Sequence, residues 1–324
     1  MEEKKQMKKL LLIMMTVAMV LVGCGTEAQP EKKEGEKAAQ EQTTGFPVTV
    51  KDALDEDIVI ENQPEKIISL IPSNTEVVYA LENGDAIVGV TDFDNYPEEA
   101  MSKEKIGGME INIEKMISLK PDLVLAHEST ADSTKAGLQQ LKDAGIDVVV
   151  VNDAQSFDGV YESIEMIGKA IGEPQKAAEL VGNMKNSFAE LKKQAESIKP
   201  DQQKSVFVEV SPAPEIYTAG KNTFINEMLE LIGAKNAAGD MEGWAKVDQE
   251  AIVERNPDVV VTTYGYYTEN AVELVLGRQG WENVKAVKGK QVFDVHSDLV
   301  TRSGPRLAEG AEELAKAIYP DVFK

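Results

Sequence analysis

The side chains best equipped for chemistry here suit holding a molecule better than transforming one. Asp298 and Arg302 stand four residues apart. On a surface such a pair contributes under about 1 kcal/mol, but in a cleft it can hydrogen-bond ligand amides, hydroxyls or carboxylates, and arginine suits planar acceptors. Trp244 follows Gly243, and Tyr264, Tyr266 and Tyr267 crowd the end of an apolar run. These rings are either ordinary packing residues or flat faces for a ligand. The chain's two histidines, His127 and His296, each follow an expected strand. Beside Glu128 or Asp298 they could meet a transition metal, and His296 could ligate haem iron. A dedicated divalent site, however, needs three or four donors, so no resident metal or cofactor is expected. There is no Walker loop, no G-x-S-x-G and no G-x-G-x-x-G after a strand. A hydrolase using paired carboxylates in a cleft is the one enzyme reading left open, and the expectation is a protein that is not an enzyme.

The amino terminus sets the compartment. Lys4, Lys5, Lys8 and Lys9 precede an uncharged apolar run from Leu10 to Val22. The run falls short of the roughly 20 residues a spanning helix needs and fits the core of a secretory signal. It ends Leu21-Val22-Gly23-Cys24, which resembles the lipobox of bacterial lipoproteins, where cleavage precedes an acylated cysteine. Residues 1–23 are therefore expected to be a lipoprotein signal peptide and Cys24 its lipidation site. Cys24 is the only cysteine, so an intrachain disulfide is impossible. Residues 24–46 carry Glu, Lys, Gln, Ala and Thr with almost no large apolar side chain, and read as a flexible tether. The expected location is the extracytoplasmic face of the cell membrane. With a net charge of −22, nucleic acid is not an expected partner, and contact with the membrane should come through the lipid alone.

The body must place those side chains. A hairpin is expected from Val48–Val50 and Ile58–Ile60. Strands then alternate with helices: Lys66–Leu70, a helix opened by a capping-box pattern at Ser73-Asn74-Thr75-Glu76, Ile87–Val90, helix Ile113–Leu119, Leu123–Ala126, helix Ser133–Ala144, Val148–Val151 and helix Gly159–Ile171. Such alternation implies a mainly parallel sheet covered on both faces. It stops at Pro174, where Ala177, Val181, Met184, Phe188, Leu191, Ala195 and Ile198 recur at spacings of four and three up to Pro200. This is one long helix, read as a packed spacer and not a coiled-coil seam. The alternation then resumes with strands at Ser205–Val210, Val259–Thr263 and Gln291–Val295, and helices at Thr223–Ile232, Gln249–Arg255 and Arg306–Ile318.

An internal repeat relates the two halves. Glu114 through Leu125 aligns without a gap on Glu250 through Val261, each pairing a glutamate at a helix start with a Pro-Asp that precedes an apolar strand. The expected architecture is α/β, with an N-terminal lobe (47–172), a backbone helix (173–200), a C-terminal lobe (201–324) and a ligand cleft between the lobes. The stiff helix argues for modest closure on binding.

Order and spacing across Val48–Tyr319 resemble the solute-binding proteins of ABC importers for cobalamin and ferric siderophores. The resemblance rests on Ile71 through Glu76, Asn95-Tyr96-Pro97, Glu114 through Ala126, Tyr217 through Lys221, Val247 through Val261 and Ser297 through Arg306. The cobalamin-binding branch is the most similar. It implies a corrinoid pocket at Phe93, His127, Tyr217, Trp244, Asp298 and Arg302, to which the loop tyrosines Tyr264 and Tyr266 are added. At Gly108 and His127 the chain departs from that branch, which carries tryptophans there, so a ferric siderophore stands beside cobalamin, with haem or a metal ion as the alternative cargo. The resemblance also implies that Glu114 and Glu250 meet arginines of a permease, expected to be dimeric and driven by its ATPase. The simpler reading of both is a carboxylate near a helix amino terminus, stabilising by about 0.3–1 kcal/mol.

Overall fold

The computed structural model describes residues 45–324, which form one compact unit. The signal, Cys24 and the tether up to residue 44 lie outside the described residues. Among the described residues no helix is long and apolar enough to cross a membrane.

The first half opens on an antiparallel hairpin, β1 (Val48–Lys51) and β2 (Asp57–Ile60). It continues through β3 (Ile67–Ser69), α1 (Pro72–Ala80), β4 (Ile87–Val90), β5 (Glu104–Lys105), α2 (Ile113–Leu119), β6 (Leu123–His127), α3 (Glu128–Asp143), β7 (Asp147–Val151) and α4 (Phe157–Ile171). Strands β3 to β7 form a parallel sheet in the order β5-β4-β3-β6-β7. Every residue of β6 is buried, as expected when helices cover both faces of a parallel sheet.

After α5 (Pro174–Ala195) the pattern repeats: β8 (Ser205–Glu209), β9 (Tyr217–Ala219), α6 (Phe224–Leu231), β10 (Lys235–Asn236), β11 (Trp244–Lys246), α7 (Gln249–Arg255), β12 (Val259–Thr262), α8 (Ala271–Leu276), β13 (Val292–Asp294) and α9 (Leu307–Ile318). Four strands make a second parallel sheet, β10-β8-β12-β13, while β9 and β11 pair as a separate antiparallel ribbon. The fold is thus α/β with mainly parallel sheets in two halves joined by a helix.

The repeat has a physical basis. Helix α2 ends on Lys120 and α7 on Asn256, both left-handed (φ 53° and 47°), each followed by Pro-Asp. Asp122 accepts the amides of Glu65 and Lys66 (both 2.9 Å), and Asp258 accepts that of Ser205 (2.9 Å). Each aspartate pins its own strand's entry to the neighbouring strand. The registers Ile67↔Leu123 and Val206↔Val259 follow.

Helix α5 buries Ala177, Val181, Met184, Phe188, Leu191 and Ala195, the stripe read from the sequence except Ile198, which lies beyond the end of the helix. One continuous core contains that stripe, Ile164 and Ile171 from the first half, and Leu229 and Leu314 from the second. The helix is the shared core of both halves and not a free linker. Close approach to α4 requires Gly168, where an added Cβ would stand 2.4 Å from that of Ala177. At Gly172 (φ 81°) the chain turns out of α4 into Pro174, the first residue of α5.

Two local expectations are corrected. Ser73–Glu76 is no capping box: Pro72 takes the first helical position after an extended Ile71, and no side chain caps α1. Asn74 instead donates to the Ala126 carbonyl (3.0 Å), and Glu76 is buried at 2% exposure. Helix α3 starts at Glu128, ahead of the expected Ser133, because the His127 ring accepts the Ser129 amide and caps it.

Candidate functional site

The parallel strands deliver most of the expected site residues to their carboxyl ends, where ligands of such sheets bind. Thr91 follows β4 and leads to Phe93, whose ring is half exposed. A Cβ on Gly108 would lie 3.2 Å from that ring, so the glycine is where the Phe93 edge rests. In the second half, Tyr217 and Trp244 sit on one ribbon, with Trp244 opposite Ala219 and Lys246 opposite Tyr217. Tyr217 is exposed. The Trp244 ring meets Phe224 edge-on at 5.5 Å, and its indole N–H donates to Gln155 Oε1 of the first half (2.7 Å). Tyr266 and Tyr267 are exposed, and Tyr266 stacks on His296 with centroids 5.5 Å apart.

Two expected contacts are corrected. Tyr264 is fully buried; its hydroxyl donates to Glu209 Oε1 (2.6 Å), and burial beside that carboxylate pushes the phenol far above its ordinary value. Arg278 completes the group with two bonds of 2.7 Å to Glu209. Tyr264 therefore props the loop that carries Tyr266 and is not a ligand surface. His127, at 3% exposure, bonds Ser129 through Nδ1 (2.8 Å) and belongs to the interior, where burial lowers its pKa below 6.5.

Asp298 and Arg302 do pair, at 2.9 Å, yet both face the first half as much as each other. Asn95 Nδ2 donates to Asp298 Oδ2 (2.8 Å), and Arg302 Nη1 donates to Asn95 Oδ1 (2.9 Å) and Glu76 Oε1 (2.8 Å). Arg306 adds Nε to Glu76 Oε2 (2.9 Å) and Nη2 to Oε1 (2.7 Å), with its guanidinium 3.9 Å above the Tyr96 ring. Sequence reading missed Glu76, Asn95 and Arg306 as a unit. The available signal was a glutamate one turn into a helix that directly follows a parallel strand.

Glu114 and Glu250 both lie in the first turn of seven-residue helices, exposed, with no hydrogen-bond or ion-pair partner among the described residues. Each helix then ends in a left-handed residue before Pro-Asp. The two carboxylates are therefore presented equivalently by the two halves. Among the described residues no group of three or more His, Cys, Asp and Glu side chains is arranged to hold a metal ion.

Two α/β halves on one helical backbone, with aromatic and ionic residues gathered at strand ends, define a bilobed solute-binding protein. The comparisons agree: the periplasmic binding protein family model matches residues 67–299. The chain belongs to that family and is a substrate-binding protein. It is 54% identical over 311 residues, 96% of each chain, to the uncharacterized ABC transporter substrate-binding lipoprotein YvrC of Bacillus subtilis. It is 29% identical over 321 residues, 96% of this chain and 84% of the other, to a cobalamin-binding protein of Halobacterium salinarum. Among solved structures, a possible iron-binding periplasmic solute-binding protein of Staphylococcus epidermidis superposes with a TM-score of 0.71 at 42% identity, over 80% of this chain and all of that one.

Proposed function

We propose that the protein is the lipid-anchored, extracytoplasmic receptor of an ABC importer, capturing a cobalamin-like corrinoid or a ferric siderophore and handing it to the permease. The observation that carries the reading is the matched pair Glu114 and Glu250, exposed at equivalent helix starts in both halves. A repeated acidic feature suits docking on a two-fold permease, since charge complementarity sets register at an interface. The relative from Bacillus subtilis carries the ABC-transporter and lipoprotein descriptions over almost the whole length. The relative from Halobacterium supports cobalamin, and the structure from Staphylococcus, described as a possible iron-binding protein, is consistent with an iron-containing ligand.

The proposed ligand surface comprises Phe93, Tyr217, Trp244 and Tyr266, with Asp298 and Arg302 as its polar groups. Exposed rings on both halves suit a broad, partly flat ligand, since each ring offers both a stacking face and apolar area. Haem is a second reading, favoured by the stacked Tyr266–His296 pair.

Titration of the full-length protein in detergent with cyanocobalamin, ferric catecholate, ferric hydroxamate and haem tests the assignment through tryptophan emission. Trp281 is sealed at 1% exposure, so a response should come from Trp244 and vanish in Trp244→Phe. Saturable binding of cyanocobalamin or a ferric siderophore is expected. A response to none of the four, or one unchanged in Trp244→Phe, refutes the ligand class or the tryptophan's role respectively.

A further inference from the structure

Besides the backbone helix and the bonds Trp244–Gln155 and Phe157–Glu227, a cluster of side chains distant in sequence joins the two halves. Glu76 is the centre of it. It enters from α1 of the first half, and its side chain is 1% exposed. Its oxygens take three donors from Arg302 and Arg306 of the second half, whose side chains are each 16% exposed. Asn95 closes a second ring of bonds by donating to Asp298 and accepting from Arg302. Two guanidinium groups face two carboxylates, so charge balances, and the buried Glu76 is fully paired. Partner and carboxylate are separated by more than two hundred positions in the chain.

We propose that Glu76 is the positioning residue of a brace between the halves: it sets their mutual angle and holds Arg302, with Asp298, in the orientation a ligand meets. The geometry distinguishes this from generic stabilisation. Arg302 divides its donors among Glu76, Asn95 and Asp298, so its orientation depends on the first half staying where it is. Gly304 brings its backbone against α1, with an added Cβ only 3.8 Å from Ser73 and 3.6 Å from the Glu76 carboxylate. Arg306 opens directly into α9, whose buried face joins the core shared with α5. The brace therefore couples the strand-end segment carrying Asp298 to the same framework that the backbone helix organises. A buried ion pair adds a directional constraint, because breaking it strands charge in the interior.

The affinity part of this inference rests on the ligand reading above; the angular part does not. Interlobe distances in the full-length protein in detergent test the angle. A ketone-bearing amino acid for spin labelling is placed at Lys135 on α3 and Glu273 on α8, both exposed, which leaves Cys24 untouched. Glu76→Gln should shift and broaden the distance distribution, Glu76→Asp should restore much of it, and Arg306→Lys should fall between. Arg278→Lys weakens the buried pair internal to the second half; it should lower the unfolding temperature and leave the distribution unchanged. If Glu76→Gln fails to fold, Glu76→Asp and Arg306→Lys carry the comparison. A distribution in these variants that superimposes on the wild type overturns the proposal, as does an equal change in Arg278→Lys. Affinity for cyanocobalamin and ferric catecholate should fall with the fraction of aligned protein, about tenfold if that fraction falls to a tenth. Weaker binding with no change in distances also overturns it. Failure of the wild type to bind either probe counts against the ligand reading alone, and the distances still decide the brace.

Discussion

Reversing the charge of Glu114 and Glu250 separates a transport receptor from a scavenger. Each carboxylate lies in the first turn of a short helix, exposed and without an ionic partner among the described residues. Its contribution to folding is therefore limited to the helix dipole, about 0.3–1 kcal/mol. Lysine forfeits that and adds an unfavourable contribution of similar size, so each variant loses at most about 2 kcal/mol, and less in physiological salt. In a body of this size that is a fall of several degrees in unfolding temperature, by the scaling of roughly 2–4 °C per kcal/mol. Docking is a different matter. Like charges brought together at an interface cost several kcal/mol, and about 1.4 kcal/mol is a factor of ten in affinity. One reversed site should thus weaken docking by about a hundredfold or more, and two should abolish it. The readout is uptake of labelled cyanocobalamin or ferric siderophore by cells whose own receptor is replaced with each variant. Fatty-acid labelling and circular dichroism confirm anchoring and folding, and ligand affinity in detergent should be unchanged. A double variant that is folded, anchored and still transports at the wild-type rate refutes the docking assignment. The helix-dipole account of both glutamates would then suffice.

Two predictions concern the interior. Arg278→Leu leaves Glu209, which is 0% exposed, with only the Tyr264 hydroxyl and no cation. It should destabilise the protein by about 3–5 kcal/mol in urea unfolding, whereas Glu209→Leu combined with Arg278→Leu should lose less than the single variant; a double-variant loss equal to the sum of the Glu209→Leu and Arg278→Leu losses would show that the pair is not coupled. His127 is held below its ordinary pKa by burial, so the unfolded chain takes up a proton first. Stability should be unaffected well above pH 6.5 and fall as pH drops from there towards the folded-state pKa, with a slope of at most about 1.4 kcal/mol per pH unit. His127→Asn, which retains a side-chain acceptor for the Ser129 amide, should flatten that slope, and an unchanged slope would place its origin elsewhere.

What was legible in the sequence was whatever a local pattern dictates. The apolar stripe from Ala177 to Ala195 has only one face to bury, so helix α5 and its central place follow from spacing alone. The Glu114 and Glu250 segments carry their own stops, a left-handed residue and then Pro-Asp, and each aspartate finds backbone amides a strand away. The illegible part is where identical local signals have different long-range partners. Tyr264, Tyr266 and Tyr267 look alike in a row. Their fates diverge because β8 pairs with β12 so that Glu209 stands opposite Thr262, within reach of the Tyr264 hydroxyl but of neither neighbouring ring. Ser73 to Glu76 fits a capping box, yet Pro72 already occupies the first helical position. That frees Glu76 to meet two arginines more than two hundred residues away. The same logic explains why the ligand pocket is the hardest feature to read. Asp298 and Arg302 were rightly read as a pair, and their spacing suffices for that. Whether such a pair faces solvent, ligand or the other lobe is set by Asn95 and Glu76, two residues whose own neighbours in sequence give no hint of them. If Arg302 meets the ligand as proposed, substitutions at Glu76 and Asn95 should change what Arg302 presents without altering Arg302 itself.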